Sequence, residues 1–238
     1  MILSIICPSF NAESTIRSLI DSIIKQSCKD YELIIVDGGS TDETISIVKS
    51  YGNQIRYVSE RDNGIYDAMN KGVSMAKGEW LYFIGSDDTL YDNDVVMNLF
   101  TLLQPNIDVV LCDVMSSEGN VCKSTFSKQI LTKNTVYHQG AIYNKRLFNE
   151  RQYDLSYKIL ADYEFNLYVW SLEPKVVFGD FIFANHSFEG ISGRGVTLGY
   201  KEEIIIREKY ISNHFKRFIL TLYSWLRLIR RRLIWILK

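Results

Sequence analysis

Hydrophobic and polar positions alternate in two rhythms over the first hundred residues. Ile2 to Cys7 is a short apolar run stopped by Pro8, and Glu32 to Asp37 is another, stopped by Gly38-Gly39-Ser40. Short apolar runs bounded by turn residues read as buried strands. Between them Ile16, Leu19, Ile20, Ile23 and Ile24 recur at helical spacing, with Asn11 and Ser14 placed to cap. Ser40-Thr41-Asp42-Glu43 has the form of a capping box opening a second helix. Arg56 to Ser59 predicts a third strand and Gly64 to Lys77 a third helix. A fourth strand from Trp80 then runs into Gly85-Ser86-Asp87-Asp88. Strands alternating with helices predict an α/β fold, a mostly parallel sheet flanked by helices on both faces. Beyond Asn106 the pattern loosens to a strand over Val109 to Cys112 and a helix over Tyr163 to Trp170. No internal repeat is visible. The expected organisation is a body over 1–208, with halves 1–105 and 106–208, and a tail over 209–238.

Sheets of this kind bind ligands at the carboxyl ends of their strands. Asp37 and Asp88 each follow a predicted strand, so both carboxylates should face one crevice. Adjacent carboxylates at Asp87-Asp88 are hard oxygen donors suited to Mn²⁺ or Mg²⁺, and such ions commonly sit between one or two carboxylates and a substrate's phosphates. A plain polar turn is the alternative. No GxGxxG or GxxxxGK[ST] pattern occurs, which argues against dinucleotide enzymes and P-loop phosphotransferases. The three histidines lack paired metal spacing, which argues against zinc. The four cysteines have no CxxC spacing, and the apolar start lacks a basic leader. Reduced thiols in a cytoplasmic protein are therefore expected.

Four blocks give a more specific signal. Ile5-Ile6-Cys7-Pro8-Ser9-Phe10-Asn11, Ile35-Val36-Asp37-Gly38-Gly39-Ser40-Thr41-Asp42, Asp62-Asn63-Gly64-Ile65-Tyr66-Asp67-Ala68-Met69-Asn70-Lys71-Gly72 and Gly85-Ser86-Asp87-Asp88 stand in this order. In order and spacing they resemble glycosyltransferase family 2, with its GT-A, Rossmann-like nucleotide-diphospho-sugar transferase fold. The third block resembles the bacterial subgroup that builds colanic acid, capsule and O-antigen. The resemblance implies that Phe10 stacks on the donor's base, that Pro8 and Glu13 line its pocket and that Asp37 hydrogen-bonds the base. An aromatic face plus one carboxylate acceptor suits uracil. Phe10 as core and Asp37 as a helix cap is the structural alternative. Asp62, Asn70 and Lys71 would border the diphosphate and sugar; Met69 stands where many relatives have Arg. Asp88 would ligate Mn²⁺ or Mg²⁺, and Asp87 would hold sugar or ribose hydroxyls.

For inverting transfer the resemblance implies Asp162 as the base that deprotonates the acceptor hydroxyl. A helix N-cap is the competing role; Glu164 is the fallback. His138-Gln139-Gly140 also resembles a subgroup motif. Phe188 to Gly195 resembles a donor-closing loop in which Arg194 would clamp phosphate oxygens.

The tail adds a separate feature. From Lys209 on there are eight basic residues and no acidic one. Phe215, Phe218, Leu222, Trp225, Leu226, Ile229, Leu233 and Ile236 fall on one helical face, with Lys216, Arg217, Arg227, Arg230 and Arg231 on the other. This pattern predicts a helix lying in an anionic membrane surface, or else docked on the body or a second subunit. Charge interrupts it too often to span a bilayer. The expected protein is a metal-dependent, non-processive enzyme at the inner face of the cytoplasmic membrane. It would move a sugar from a UDP-sugar to a lipid-linked, undecaprenyl-diphosphate saccharide. Transfer to polyprenyl phosphate and an inactive binding protein are the alternatives; no nucleic-acid partner is expected. The QxxRW motif of processive synthases is absent.

Overall fold

The computed structural model describes residues 2–187 and 196–236. In chain order, β1 (Leu3–Ser9), α1 (Ile16–Ile24), β2 (Tyr31–Asp37), α2 (Thr44–Ser50), β3 (Arg56–Ser59), α3 (Ile65–Met75) and β4 (Trp80–Phe83) form the regular half. β5 (Thr89–Leu90), α4 (Val95–Phe100), β6 (Val109–Ser116), β7 (Val121–Cys122), β8 (Ala141–Asn144), α5 (Ala161–Ser171) and β9 (Val176–His186) follow. Two helices, α6 (Val196–Tyr210) and α7 (His214–Ile236), close the described chain.

The described strands make one sheet in the order β3-β2-β1-β4-β8-β6-β9-β5, with β7 paired to β6. It is parallel from β3 through β4; β8 then runs antiparallel to both β4 and β6. β9 is parallel to β6. The register sets Ser9 opposite Asp37 and Asp37 opposite Ser59, so three polar side chains line up where the strands end.

Successive strand residues face opposite sides of the sheet, and both sides are buried here. Leu3, Ile5, Cys7, Leu33, Ile35, Trp80 and Tyr82 pack beneath α1 and α4, which contribute Ile16, Leu19, Ile20, Val96 and Leu99. Ile6, Ile34, Val36, Leu81 and Phe83 face α3 and α5, through Tyr66, Met69, Val73, Phe165 and Val169. Each buried aliphatic or aromatic side chain contributes roughly 1.5–3 kcal/mol. α3 comes close because Gly72 has no side chain: a Cβ there would meet Ile6 Cγ2 at 2.3 Å.

Several boundaries differ from the sequence pattern. The fourth strand stops at Phe83, because Asp88 N turns back to bond Gly85 O at 3.1 Å. α2 begins at Thr44, where Asp42 Oδ1 accepts Thr44 N at 3.0 Å, so Asp42 rather than Ser40 covers its first turn. The tail helix is long as expected, but its polar stripe is not free. Glu203 of α6 pairs with Arg207 and lies 3.3 Å from Arg227 Nη1, and Ser224 Oγ donates to it at 2.6 Å. Ser224 and Leu228 are buried in this joint. Phe215, Phe218, Leu222, Trp225, Leu226 and Ile229 point outward. No helix among the described residues is long and apolar enough to cross a membrane.

Candidate active site

The site begins where β1 and β2 end. Asn11 takes a left-handed φ of 48°, a conformation asparagine tolerates better than most residues. It ties the two loops together: its N–H donates to Ser40 Oγ at 2.8 Å and its Oδ1 accepts Thr41 N at 3.0 Å. Ala12 N donates to Thr44 Oγ1, Glu13 N to Asp42 Oδ2, and Glu43 N to Glu13 Oε2. On this platform Phe10 stands 62% exposed, an open aromatic face rather than core. Pro8 and Glu13, expected to line the base pocket, stand on either side of Phe10 in the chain. Pro8 is buried in β1 beside Val36, and the Glu13 carboxylate accepts the Glu43 amide.

Asp37 is fully buried. Its Oδ2 accepts Gly39 N at 3.1 Å, Ser40 N at 2.9 Å and Ser59 Oγ at 2.7 Å; its Oδ1 accepts Ser40 Oγ and, at 3.4 Å, Ser9 Oγ. These bonds knot three strand ends together. Asp62 lies across from this knot: a Cβ at Gly38 would fall 2.6 Å from Asp62 Oδ2, and its Oδ1 accepts Gly64 N at 2.9 Å. Two residues expected beside the diphosphate are committed elsewhere. Lys71 is ion-paired to Glu60 at 2.8 Å and Asp67 at 3.7 Å, and Asn70 clamps the backbone of Tyr153 with both ends of its amide. Arg194 and the loop 188–195 lie outside the described residues.

Asp87 and Asp88 converge over Gly85. A Cβ at Gly85 would lie 2.8 Å from Asp87 Oδ1 and 2.9 Å from Asp88 Oδ2. Burial, and then the charge of Asp88, push the Asp87 carboxyl above its ordinary range. Two carboxylates held this close disfavour each other's ionisation. Asp88 is buried; its Oδ1 accepts Ser187 N at 2.9 Å and lies 3.2 Å from His186 Nδ1, which also meets Gln139 Nε2 at 2.5 Å. The sequence pattern passed over His186, because β9 is broken by Gly179-Asp180 and offers no clean strand signal. Among the described residues no group of three or more metal-binding side chains forms, so a cation here would complete its shell with substrate oxygens.

A cleft of about 550 Å³ reaches this pair through His186, and His138, Gln139 and Asp162 also line it. Asp162 is the second residue of α5, yet its carboxylate is not capping that helix. Tyr66 Oη lies 3.0 Å from Asp162 Oδ1 and 2.7 Å from Ile159 O, and Asn134 Nδ2 lies 3.4 Å from Asp162 Oδ2. Burial, and then Asp162, raise the Tyr66 phenol well above its ordinary value, so it stays a neutral donor. Glu202 of α6 holds the turn ahead of α5: it accepts Lys158 N, Ile159 N and Leu160 N at 2.7, 3.0 and 2.9 Å. Nothing in the spacing marked Glu202 for this. Glu164 is fully buried and ion-paired with Arg151, with Tyr210 Oη 2.9 Å away. It faces away from the cleft lining.

A parallel half-sheet joined to a mixed half-sheet, with paired carboxylates at the seam, is the GT-A class of transferase fold. The structure aligns with S. aureus TarS 1-349 in complex with UDP-GlcNAc at TM-score 0.71 and 20% identity, over 94% of this chain and 72% of that one. It aligns with the mannosyltransferase PcManGT from Pyrobaculum calidifontis, in complex with GDP-Man and Mn²⁺, at TM-score 0.68 and 15% identity, over 95% of this chain and 69% of that one. Residues 4–162 match glycosyl transferase family 2, and the chain belongs to that family. The PGL/p-HBAD biosynthesis glycosyltransferase of Mycobacterium bovis (strain BCG / Pasteur 1173P2) is 38% identical over 178 residues, 71% of this chain and 69% of that protein. Against another TarS structure the chain spans 41% of the length. The chain is a glycosyltransferase.

Proposed function

We propose that this chain transfers one sugar from a UDP-sugar, with inversion and with a divalent cation, to a lipid-linked saccharide. The observation that carries the reading is the continuity of the site. Asp162 lines the same cleft as His186, and His186 touches Asp88. A donor diphosphate at the carboxylate pair would therefore place its anomeric carbon toward Asp162.

Phe10 offers its exposed face to the base, while the Asp37 knot fixes the loops on which that base rests. The inward carboxylate of Asp37 then acts on the base chiefly by holding Gly39 and Ser40. Asp88 and Asp87 would hold a Mn²⁺ or Mg²⁺ ion, with substrate oxygens filling the rest of its shell. When bound, such an ion supplies Lewis-acid neutralisation of the leaving diphosphate. Asp162 accepts the acceptor's proton as its oxygen attacks from the face opposite the leaving group. Tyr66 and Asn134 fix the orientation of that carboxylate. The donors in the TarS and PcManGT structures, UDP-GlcNAc and GDP-Man with Mn²⁺, support a nucleotide-sugar donor. The outward apolar face of α7, with Lys216 and Arg230 exposed beside it, supports contact with an anionic membrane, where a lipid-linked acceptor resides.

The test is release of nucleoside diphosphate from a panel of UDP- and GDP-sugars, with Mn²⁺ and with EDTA. Mn²⁺-dependent turnover of a UDP-sugar is expected. Silence across the panel together with no Mn²⁺-dependent UDP binding would overturn the reading.

A further inference from the structure

The cleft beside Asp162 has a charge pattern that donor binding does not use. Lys123 and Lys133 both line it, and Asp162 is its one acidic residue among the described ones. Lys123 is exposed, with its ammonium 3.1 Å from Asp113. Lys133 is exposed and has no acidic partner among the described residues.

The position of Lys133 is held from two sides. It directly precedes Asn134, whose amide meets Asp162 Oδ2 at 3.4 Å. It directly follows Thr132, whose carbonyl accepts from the buried Arg207 guanidinium of α6. Lys133 therefore stands on an anchored turn, one residue from the amide that meets the candidate base, and lines the same cleft. Neutral polar groups suited to sugar hydroxyls, Thr125, Gln129 and Thr135, line the same cleft.

We infer that this cleft is a subsite for an anionic saccharide acceptor. Its phosphate lies against Lys133, with Lys123 contributing, while the attacked hydroxyl lies at Asp162. The inference rests on the transferase reading and deepens it. A cleft of about 550 Å³ is of small-molecule size, so hydroxyl and phosphate must belong to the same end of the acceptor. The enzyme thus acts within the first sugars next to the phosphate. The preceding reaction must then be one that attaches a sugar to a lipid phosphate or diphosphate. A neutral glycolipid would leave the lysines unused.

The experiment is a ligand-observed NMR titration of the full chain with its donor site filled by UDP and Mn²⁺. Glucose 1-phosphate, methyl α-glucoside and inorganic phosphate are the probes. UDP binding is read first, and its absence is a failure of the transferase reading. Glucose 1-phosphate should then bind about five- to tenfold more tightly than the methyl glucoside, as two partly exposed ion pairs allow. That preference should collapse in Lys123→Ala/Lys133→Ala and at high salt. Because Lys123→Ala exposes the charge of Asp113, Lys133→Ala alone serves as the second variant and should remove most of the preference. Equal affinities for the two sugars would overturn the inference, as would a preference that survives both variants or no sugar phosphate binding at millimolar concentration. Inorganic phosphate binding as tightly as the sugar phosphate would reduce the site to a bare anion contact and overturn the saccharide subsite.

Discussion

Replacing Asp162 by Asn separates chemistry from architecture at the candidate base. The substitution keeps the shape and the acceptor oxygen facing Tyr66 Oη at 3.0 Å, but presents an amide toward Asn134 Nδ2 at 3.4 Å, two donors face to face. Flipping Asn134 to relieve this would forfeit the bond its Oδ1 accepts from Val136 N at 3.2 Å. One hydrogen bond is lost either way, a cost of about 0.5–1.5 kcal/mol. In a chain of this length that lowers Tm by roughly 1–6 °C. Loss of a general base costs about 10²- to 10⁴-fold in rate, or roughly 2.7–5.5 kcal/mol of barrier. The barrier effect thus exceeds the folding effect severalfold, and a folded variant with intact UDP affinity should be nearly silent in transfer. The assay pairs nucleoside diphosphate release in the presence of acceptor with calorimetric UDP binding and a thermal melt. Turnover within about tenfold of the parent, with the small Tm shift present, would refute the base assignment.

Other consequences follow from the packing. Burial acts to raise the Glu32 carboxyl, but bonds from Ser4 Oγ, Lys77 N and the Arg56 guanidinium outweigh it and hold the group below its ordinary range. Its stabilisation is present above the unfolded carboxylate pKa and lost as pH falls through the lower native one. Glu32→Gln should therefore be less stable at neutral pH and converge with the parent in acid melts; a gap independent of pH would contradict this. Gly78→Ala should destabilise by about 1–3 kcal/mol in a denaturant melt, since its Cβ would stand 2.6 Å from Ser4 N and 2.7 Å from Leu3 C, backbone atoms that cannot yield. Glu203→Gln leaves the buried Arg207 guanidinium without its carboxylate, a change worth about 3–5 kcal/mol, and should expose the chain after Tyr210 to limited proteolysis. Serine at Leu222, Trp225 and Leu226, which are 48%, 45% and 65% exposed, should abolish co-sedimentation with anionic vesicles while leaving Tm unchanged; undiminished sedimentation would remove the membrane role of α7.

Local pattern alone determined the first half of this protein. The runs at Ile2 to Cys7, Glu32 to Asp37 and Arg56 to Ser59 are strands, and the repeat from Ile16 to Ile24 is a helix. There each element buries a face against neighbours close in sequence, so periodicity and turn residues suffice. The four motif blocks likewise fixed the family. Tertiary structure decided what the side chains do. Asp37 looked available for a ligand, but register set Ser9 and Ser59 beside it and saturated its oxygens. Lys71 looked like a phosphate contact, but α3 turns it to Glu60 and Asp67. Asp162 read as a base with a helix cap as the competing role, and only the fold brings Tyr66 and Asn134 to its carboxylate. His186 reaches Asp88 only because β9 pairs with β5, the strand that directly follows Asp88, although the two residues stand 98 positions apart in the chain. A carboxylate's role depends on which donors reach it. Those donors come from strands and helices far apart in sequence, and a local pattern carries no record of their meeting.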